Sequence, residues 1–205
     1  MRALLLLLTA LTAALHAQTL PRVLIIGDSI SIGYTPFVDK QFAGKATVAH
    51  SPANAGTSGN GVFMMDGWLN DKQGKWDVIH FNFGLHDLKR MSDGQHQVAP
   101  AQYERYLRLF TERLKATGAK LVYATTTPVP EGKVSPPRVP ADVAAYNEIA
   151  VRVMKENGIP VNDLYSLALA HLAEWQLPVN VHYKPEGYEG LAKQVTRAIS
   201  EQLAK

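Results

Sequence analysis

Ser29 and His182 are the residues whose types and placement suit nucleophilic catalysis. Ser29 follows the apolar run Arg22-Val23-Leu24-Ile25-Ile26 on a Gly27-Asp28-Ser29 turn that leads into a helix. A serine there sits at the rim of a sheet, where first-turn N–H groups are free to meet a developing negative charge. The same position also suits a plain helix-capping serine. His182 lies in Asn180-Val181-His182-Tyr183-Lys184-Pro185-Glu186-Gly187, just before the last helical pattern. An imidazole is suited to take a proton from a serine near neutral pH, although a lone histidine is more often a surface residue. Asn54-Ala55-Gly56-Thr57-Ser58-Gly59-Asn60-Gly61 reads as a Gly-rich turn that brings backbone donors close to a substrate, or as an ordinary loop.

The elements that must position these residues alternate. Strands are expected at 22–26, 47–50, 76–83, 120–125 and 160–164. Tyr103, Tyr106, Leu107, Phe110 and Leu114 follow helical spacing up to Gly118. Val143, Tyr146, Ile149, Ala150, Val153 and Met154 do so between Pro140 and Gly158, with Pro at the start and Gly past the end. Leu191, Val195, Ala198, Ile199 and Leu203 make a C-terminal amphipathic helix. Strands alternating with helices imply an α/β fold, a three-layer α/β/α sandwich around a mostly five-stranded parallel sheet. Ligands in such folds bind beyond the carboxyl ends of the strands. Gly27-Asp28-Ser29 and Gly84-Leu85-His86-Asp87 both belong there.

Taken together and in order, these pieces resemble the SGNH (GDSL-type) hydrolase superfamily of esterases, lipases, thioesterases and carbohydrate acetylesterases. The similar blocks are Gly27-Asp28-Ser29-Ile30, Asn54-Ala55-Gly56-Thr57-Ser58-Gly59, Gly84-Leu85-His86-Asp87 and Asn180-Val181-His182-Tyr183. They run from about residue 22 to the C-terminus. The resemblance implies a flavodoxin-like fold, Ser29 as nucleophile, His182 as base and an acyl-enzyme intermediate. It also implies an oxyanion hole formed by the Ser29 N–H, by Gly59 rather than Gly56, and by the third-block residue. No cofactor or metal is implied.

Two departures stand out. The third block of the family usually reads Gly-x-Asn-Asp, its Asn donating to the oxyanion, and here His86 holds that place. A neutral imidazole also has one N–H donor, with a pH-sensitive capacity. Its other reading is a histidine bonded to Asp87. Losing one such donor costs roughly a hundred- to thousandfold in turnover. The usual triad acid lies three residues before the histidine, where this chain has Val179. A backbone carbonyl near Val179 or Asn180, the Asn180 side chain, or a carboxylate such as Asp87 or Asp163 must orient His182 instead. The first two are favoured because they are local.

Two further readings compete with the esterase. One is a non-catalytic carbohydrate-binding protein on a hydrolase scaffold, motivated by Val179 and His86, with Trp68 and Trp175 as stacking candidates. The other is a metal-dependent hydrolase using Asp28, His86, Asp87 and His182, ligand types that zinc or manganese accept but at no tight spacing. Thr125-Thr126-Thr127 should line the rim. Lys89 and Arg90 are placed to meet an anionic or sugar-linked substrate.

Composition narrows the setting. The 205 residues suit one domain. Residues 1–17, a basic start with a short leucine run, read as a secretory signal peptide, leaving a domain over 18–205 and a secreted or periplasmic protein with no membrane span in its mature part. There is no cysteine, hence no disulfide and no lipid-anchor thiol. A net charge of +3 without a Lys/Arg cluster argues against a nucleic-acid partner. The expected partner is an ester of a small molecule or carbohydrate, with O-acetyl and other short acyl groups foremost.

Overall fold

In the computed structural model, residues 19–72 and 74–205 are described, so the leader expected over 1–17 lies outside the described residues. Continuous apolar runs form strands buried on both faces. The strands β1 (Arg22–Ile26), β3 (Val78–Phe81) and β4 (Lys120–Ala124) are covered almost throughout. The weaker patterns form the edges, β2 (Thr47–His50) and the two-residue β5 (Val161–Asn162). All pairings are parallel and the order is β2-β1-β3-β4-β5. Chain direction across the sheet reverses between β1 and β3, and the crevice beyond their carboxyl ends is where such sheets bind ligands.

Helices cover both faces. On one, α1 (Ser29–Gln41) packs against the long C-terminal α7 (Pro185–Leu203), which also meets the short α5 (Leu164–Ala170) and α6 (Leu172–Trp175). On the other, α2 (Ser58–Leu69), α3 (Pro100–Ala116) and α4 (Pro140–Glu156) pack in series. Phe81 and Phe83 seat their rings on Phe110 of α3, with centroids 5.8 and 4.9 Å apart. This is the three-layer sandwich with a five-stranded parallel sheet expected above.

The boundaries shift in a few places. The third strand is shorter than 76–83, and Leu164 opens α5 rather than ending β5. The glycine-rich stretch at 54–61 is a loop only as far as Thr57. From Ser58 it is helix, capped by the Thr57 hydroxyl, which accepts the Asn60 N–H at 3.2 Å. Gly59 and Gly61 stand inside this helix because neighbours come close. A Cβ on Gly61 would lie 2.3 Å from the Phe83 ring, and one on Gly59 would lie 2.9 Å from the Tyr106 ring. Periodicity alone hid α2, since the glycines that permit close packing read as loop residues.

Candidate active site

The turn after β1 is built by Asp28. Its carboxylate accepts the Ile30 N–H at 2.9 Å, so Asp28 caps α1 and Ser29 is the first helical residue. The Ser29 hydroxyl is thus not spent on capping. Its Oγ lies 2.8 Å from Nε2 of His182.

His182 reaches this point from a closed loop. Gln176 and Tyr183 form an antiparallel bridge, and the Leu177 N–H donates to the His182 carbonyl at 2.9 Å. The buried Gln176 amide ties the loop down by donating to the Pro128 carbonyl at 2.9 Å. Val179 is half-exposed with φ +50°, a left-handed conformation that a β-branched residue rarely adopts. Its side chain takes no part in orienting the imidazole.

The group that meets the far ring nitrogen is Asn180, whose Oδ1 lies 2.8 Å from Nδ1 of His182. The same atom accepts the backbone N–H of His182 at 3.0 Å. A backbone N–H only donates, so the Asn180 atom facing the ring is its oxygen and not its nitrogen. That forces the His182 proton onto Nδ1 and leaves Nε2 as the acceptor facing Ser29.

The carboxylates considered for this role go elsewhere. Asp163 accepts from the Thr125 hydroxyl at 3.1 Å and the Ser166 hydroxyl at 2.6 Å, capping α5. Asp87 accepts the Ser58 N–H at 2.9 Å and the Ser58 hydroxyl at 2.5 Å. His86 is likewise not bonded to Asp87. Its Nδ1 lies 2.9 Å from Nζ of Lys89.

Three turns are thereby tied together. The Ala55 N–H donates to the Gly27 carbonyl at 2.9 Å, joining the loop before α2 to the Ser29 turn. Asp87 joins the start of α2 to the turn after β3. Gly59 follows Ser58 and His86 precedes Asp87, so both are carried on this linked rim. The N–H groups of Ser29 and Gly59 fall in first helical turns, which lack intrahelical acceptors.

Burial first, then the charges of Lys89, Arg138 and His182, push His86 down to about 4. It is neutral at working pH, which removes the pH sensitivity expected for its donor. Burial raises the Asp28 carboxyl, opposed by the Ile30 N–H and by the nearby positive charge of Arg138, His182 and Lys89.

A model of the GDSL-like lipase/acylhydrolase family matches residues 25–189. The chain belongs to that family. As a GDSL-like acylhydrolase it is a serine ester hydrolase. Among solved structures it is similar to the lipase/acylhydrolase from Enterococcus faecalis, with a TM-score of 0.77 and 19% identity over 89% of this chain and 97% of that one. It is similar to the acetyl xylan esterase AlAXEase, at 0.71 and 16% over 87% and 99%. It is also similar to the psychrotrophic esterase EstA from Pseudoalteromonas sp., at 0.69 and 14% over 90% and 99%. At such identities the likeness is one of fold. No curated protein matches the chain.

Within this GDSL-like hydrolase several marked residues are structural. Trp68 is buried in the core, and Trp175 stacks on His171 with centroids 4.1 Å apart. Arg90 is held by both carboxylate oxygens of Asp142, at 2.8 and 2.9 Å. The Thr126 hydroxyl donates to the Phe83 carbonyl at 3.0 Å. Asp28, His86, Asp87 and His182 do not converge as ligands. Among the described residues no three His, Asp or Glu side chains are grouped to hold a metal. Sequence reasoning missed the part played by Ser58 and the buried Arg138, whose guanidinium donates to the Leu85 carbonyl at 2.8 Å. Nothing in their local patterns marks either.

Proposed function

We propose that this chain is an exported serine esterase that hydrolyses short acyl esters, acetyl esters of carbohydrates foremost, through an acyl-enzyme. Ser29 is the nucleophile, His182 the general base and Asn180 the residue that orients it. The Ser29 N–H, the Gly59 N–H and His86 stabilise the oxyanion. The observation that carries this reading is the 2.8 Å contact between Ser29 Oγ and His182 Nε2.

In the first half-reaction Ser29 Oγ attacks the ester carbonyl carbon while its proton passes to Nε2. The tetrahedral intermediate collapses, and His182 returns the proton to the leaving alcohol. Water, deprotonated by the same Nε2, then attacks the acyl carbon and releases the acid and free Ser29. Asn180 holds the imidazolium in place throughout but brings no negative charge to it.

Several observations support the short-acyl preference. The cavity under the Ser29 turn, lined by Asp28, Ile30, Tyr34, Leu85 and Thr126 among others, is about 10 Å³. That is scarcely room for one water, so this cavity offers no buried channel for a long acyl chain. A fold neighbour is named an acetyl xylan esterase. Export is supported by the composition of residues 1–17.

The test is covalent. The esterase EstA of similar fold is inhibited by monoethylphosphonate, and a reactive phosphonate should label Ser29 here. Ser29→Ala should abolish labelling and p-nitrophenyl acetate hydrolysis. A panel of acyl lengths and acetylated sugars, run beside that variant, identifies the substrate class. Undiminished turnover by Ser29→Ala would overturn the reading.

A further inference from the structure

We propose that Lys89 is a positioning residue that fixes His86 as its Nε2-protonated tautomer and so makes an oxyanion donor of it. The proposal rests on the acyl-enzyme reading above. An asparagine amide carries its donor on a nitrogen fixed by covalent structure. A neutral imidazole has two tautomers, and only one of them presents N–H on a given side. Replacing the family's asparagine with His86 therefore requires a second group that chooses the tautomer.

Lys89 is that group. Its Nζ lies 2.9 Å from His86 Nδ1, and an ammonium only donates. Nδ1 is therefore the acceptor and the ring proton sits on Nε2. No described residue bonds to Nε2, which leaves that N–H for a ligand. The turn itself sets the pairing: the Lys89 N–H donates to the His86 carbonyl at 3.3 Å, bringing the two side chains to one side.

Lys89 is not in place for a carboxylate. No ion pair holds it among the described residues, unlike Arg90 one position on. Burial first, and then the charge of Arg138, lower the Lys89 ammonium from its ordinary 10.5, while Asp28 and Asp87 oppose them. Burial first, and then this positive charge, keep His86 from becoming an imidazolium beside His182. Two imidazolium rings there would oppose proton transfer from Ser29.

The experiment combines ¹⁵N spectroscopy of the histidine rings with kinetics on the full protein. At pH 7 the His86 ring should give the Nε2–H pattern, with Nδ1 as the unprotonated nitrogen. Lys89→Met should mix the tautomers and lower kcat on p-nitrophenyl acetate by about two- to fivefold, the share of rings that lose the Nε2 proton, with KM little changed. That loss falls short of a whole missing donor, about a hundred- to thousandfold. Lys89→Arg, still a donor, should recover most of it. In a His86→Asn background, Lys89→Met should cost nothing further. An Nδ1–H pattern in the unaltered protein overturns the proposal, and it is readable even if Lys89→Met fails to fold. So does a Lys89→Met protein that keeps kcat and raises KM only for anionic esters, because Lys89 would then be a substrate contact. Failure of the esterase reading is separable. It would appear as activity in Ser29→Ala and leave the tautomer result standing.

Discussion

At the scale of single residues, the question is whether an amide can orient a catalytic imidazole. In serine-protease triads, exchanging the acid for its amide costs about 10⁴ because the amide presents its N–H₂ and selects the wrong tautomer. Here the His182 backbone N–H occupies the same Asn180 oxygen and prevents that flip. What Asn180 lacks is charge. A carboxylate bonds an imidazolium about twice as strongly as a neutral acceptor does. Asn180→Asp should therefore raise kcat on p-nitrophenyl acetate by about three- to tenfold, and Asn180→Leu should lower it by roughly a hundredfold. A slower Asn180→Asp enzyme would show that the neutral amide suits this site better. Ser29, His182 and Asn180, which the fold brings into hydrogen-bond contact, were all marked by their local patterns. Asp87 and Asp163 were marked too, and wrongly considered for His182, because rim location cannot tell which neighbour a carboxylate meets.

At the scale of elements, Asp87 joins the turn after β3 to the start of α2. Burial raises its carboxyl to about 6 against an ordinary 3.8, although bonds from Ser58 pull the other way. The unfolded chain loses this proton first. The stability contributed by the protonated form is full below about 3.8 and is lost as pH rises through about 6. Asp87→Asn keeps an acceptor for the Ser58 N–H, adds a donor for its hydroxyl and removes the titration. In urea unfolding at pH 4 and pH 7, the variant should gain stability relative to the unaltered protein by roughly 1–3 kcal/mol between the two pH values. An unchanged difference would mean that Asp87 ionises in the folded protein as freely as in the unfolded chain. Helix α2 was the element the sequence concealed, because its first turn carries glycines selected by the Tyr106 and Phe83 rings that crowd it.

At the scale of the whole molecule, the sheet encloses a histidine at its centre. His80 of β3 lies between Ile25 of β1 and Val122 of β4 and is fully buried. Asn162 of β5 donates to its Nε2 at 3.2 Å, while Nδ1 has no partner. Burial pushes this ring down to about 3 from 6.5. Its contribution has the opposite sign to that of Asp87: present above about 6.5, it is lost as pH falls toward about 3. His80→Gln retains an acceptor for Asn162 without titrating. Between pH 7 and pH 4.5 it should lose less stability than the unaltered protein, by up to about 2–3 kcal/mol in chemical unfolding. Equal losses would assign acid sensitivity to other groups.

By itself the sequence determined the layered α/β architecture, the serine after the first strand, the histidine before the last helix and the absence of an acid at Val179. Apolar runs, helical periodicity and short ordered blocks are local properties, legible along the chain. Tertiary structure alone decided which atom holds His182, that Lys89 and not Asp87 meets His86, and that α2 begins at Ser58. Each of those depends on contacts between side chains on folded turns. Sequence spacing leaves the directions of side chains open, and only the packing of the sheet and its helices selects one.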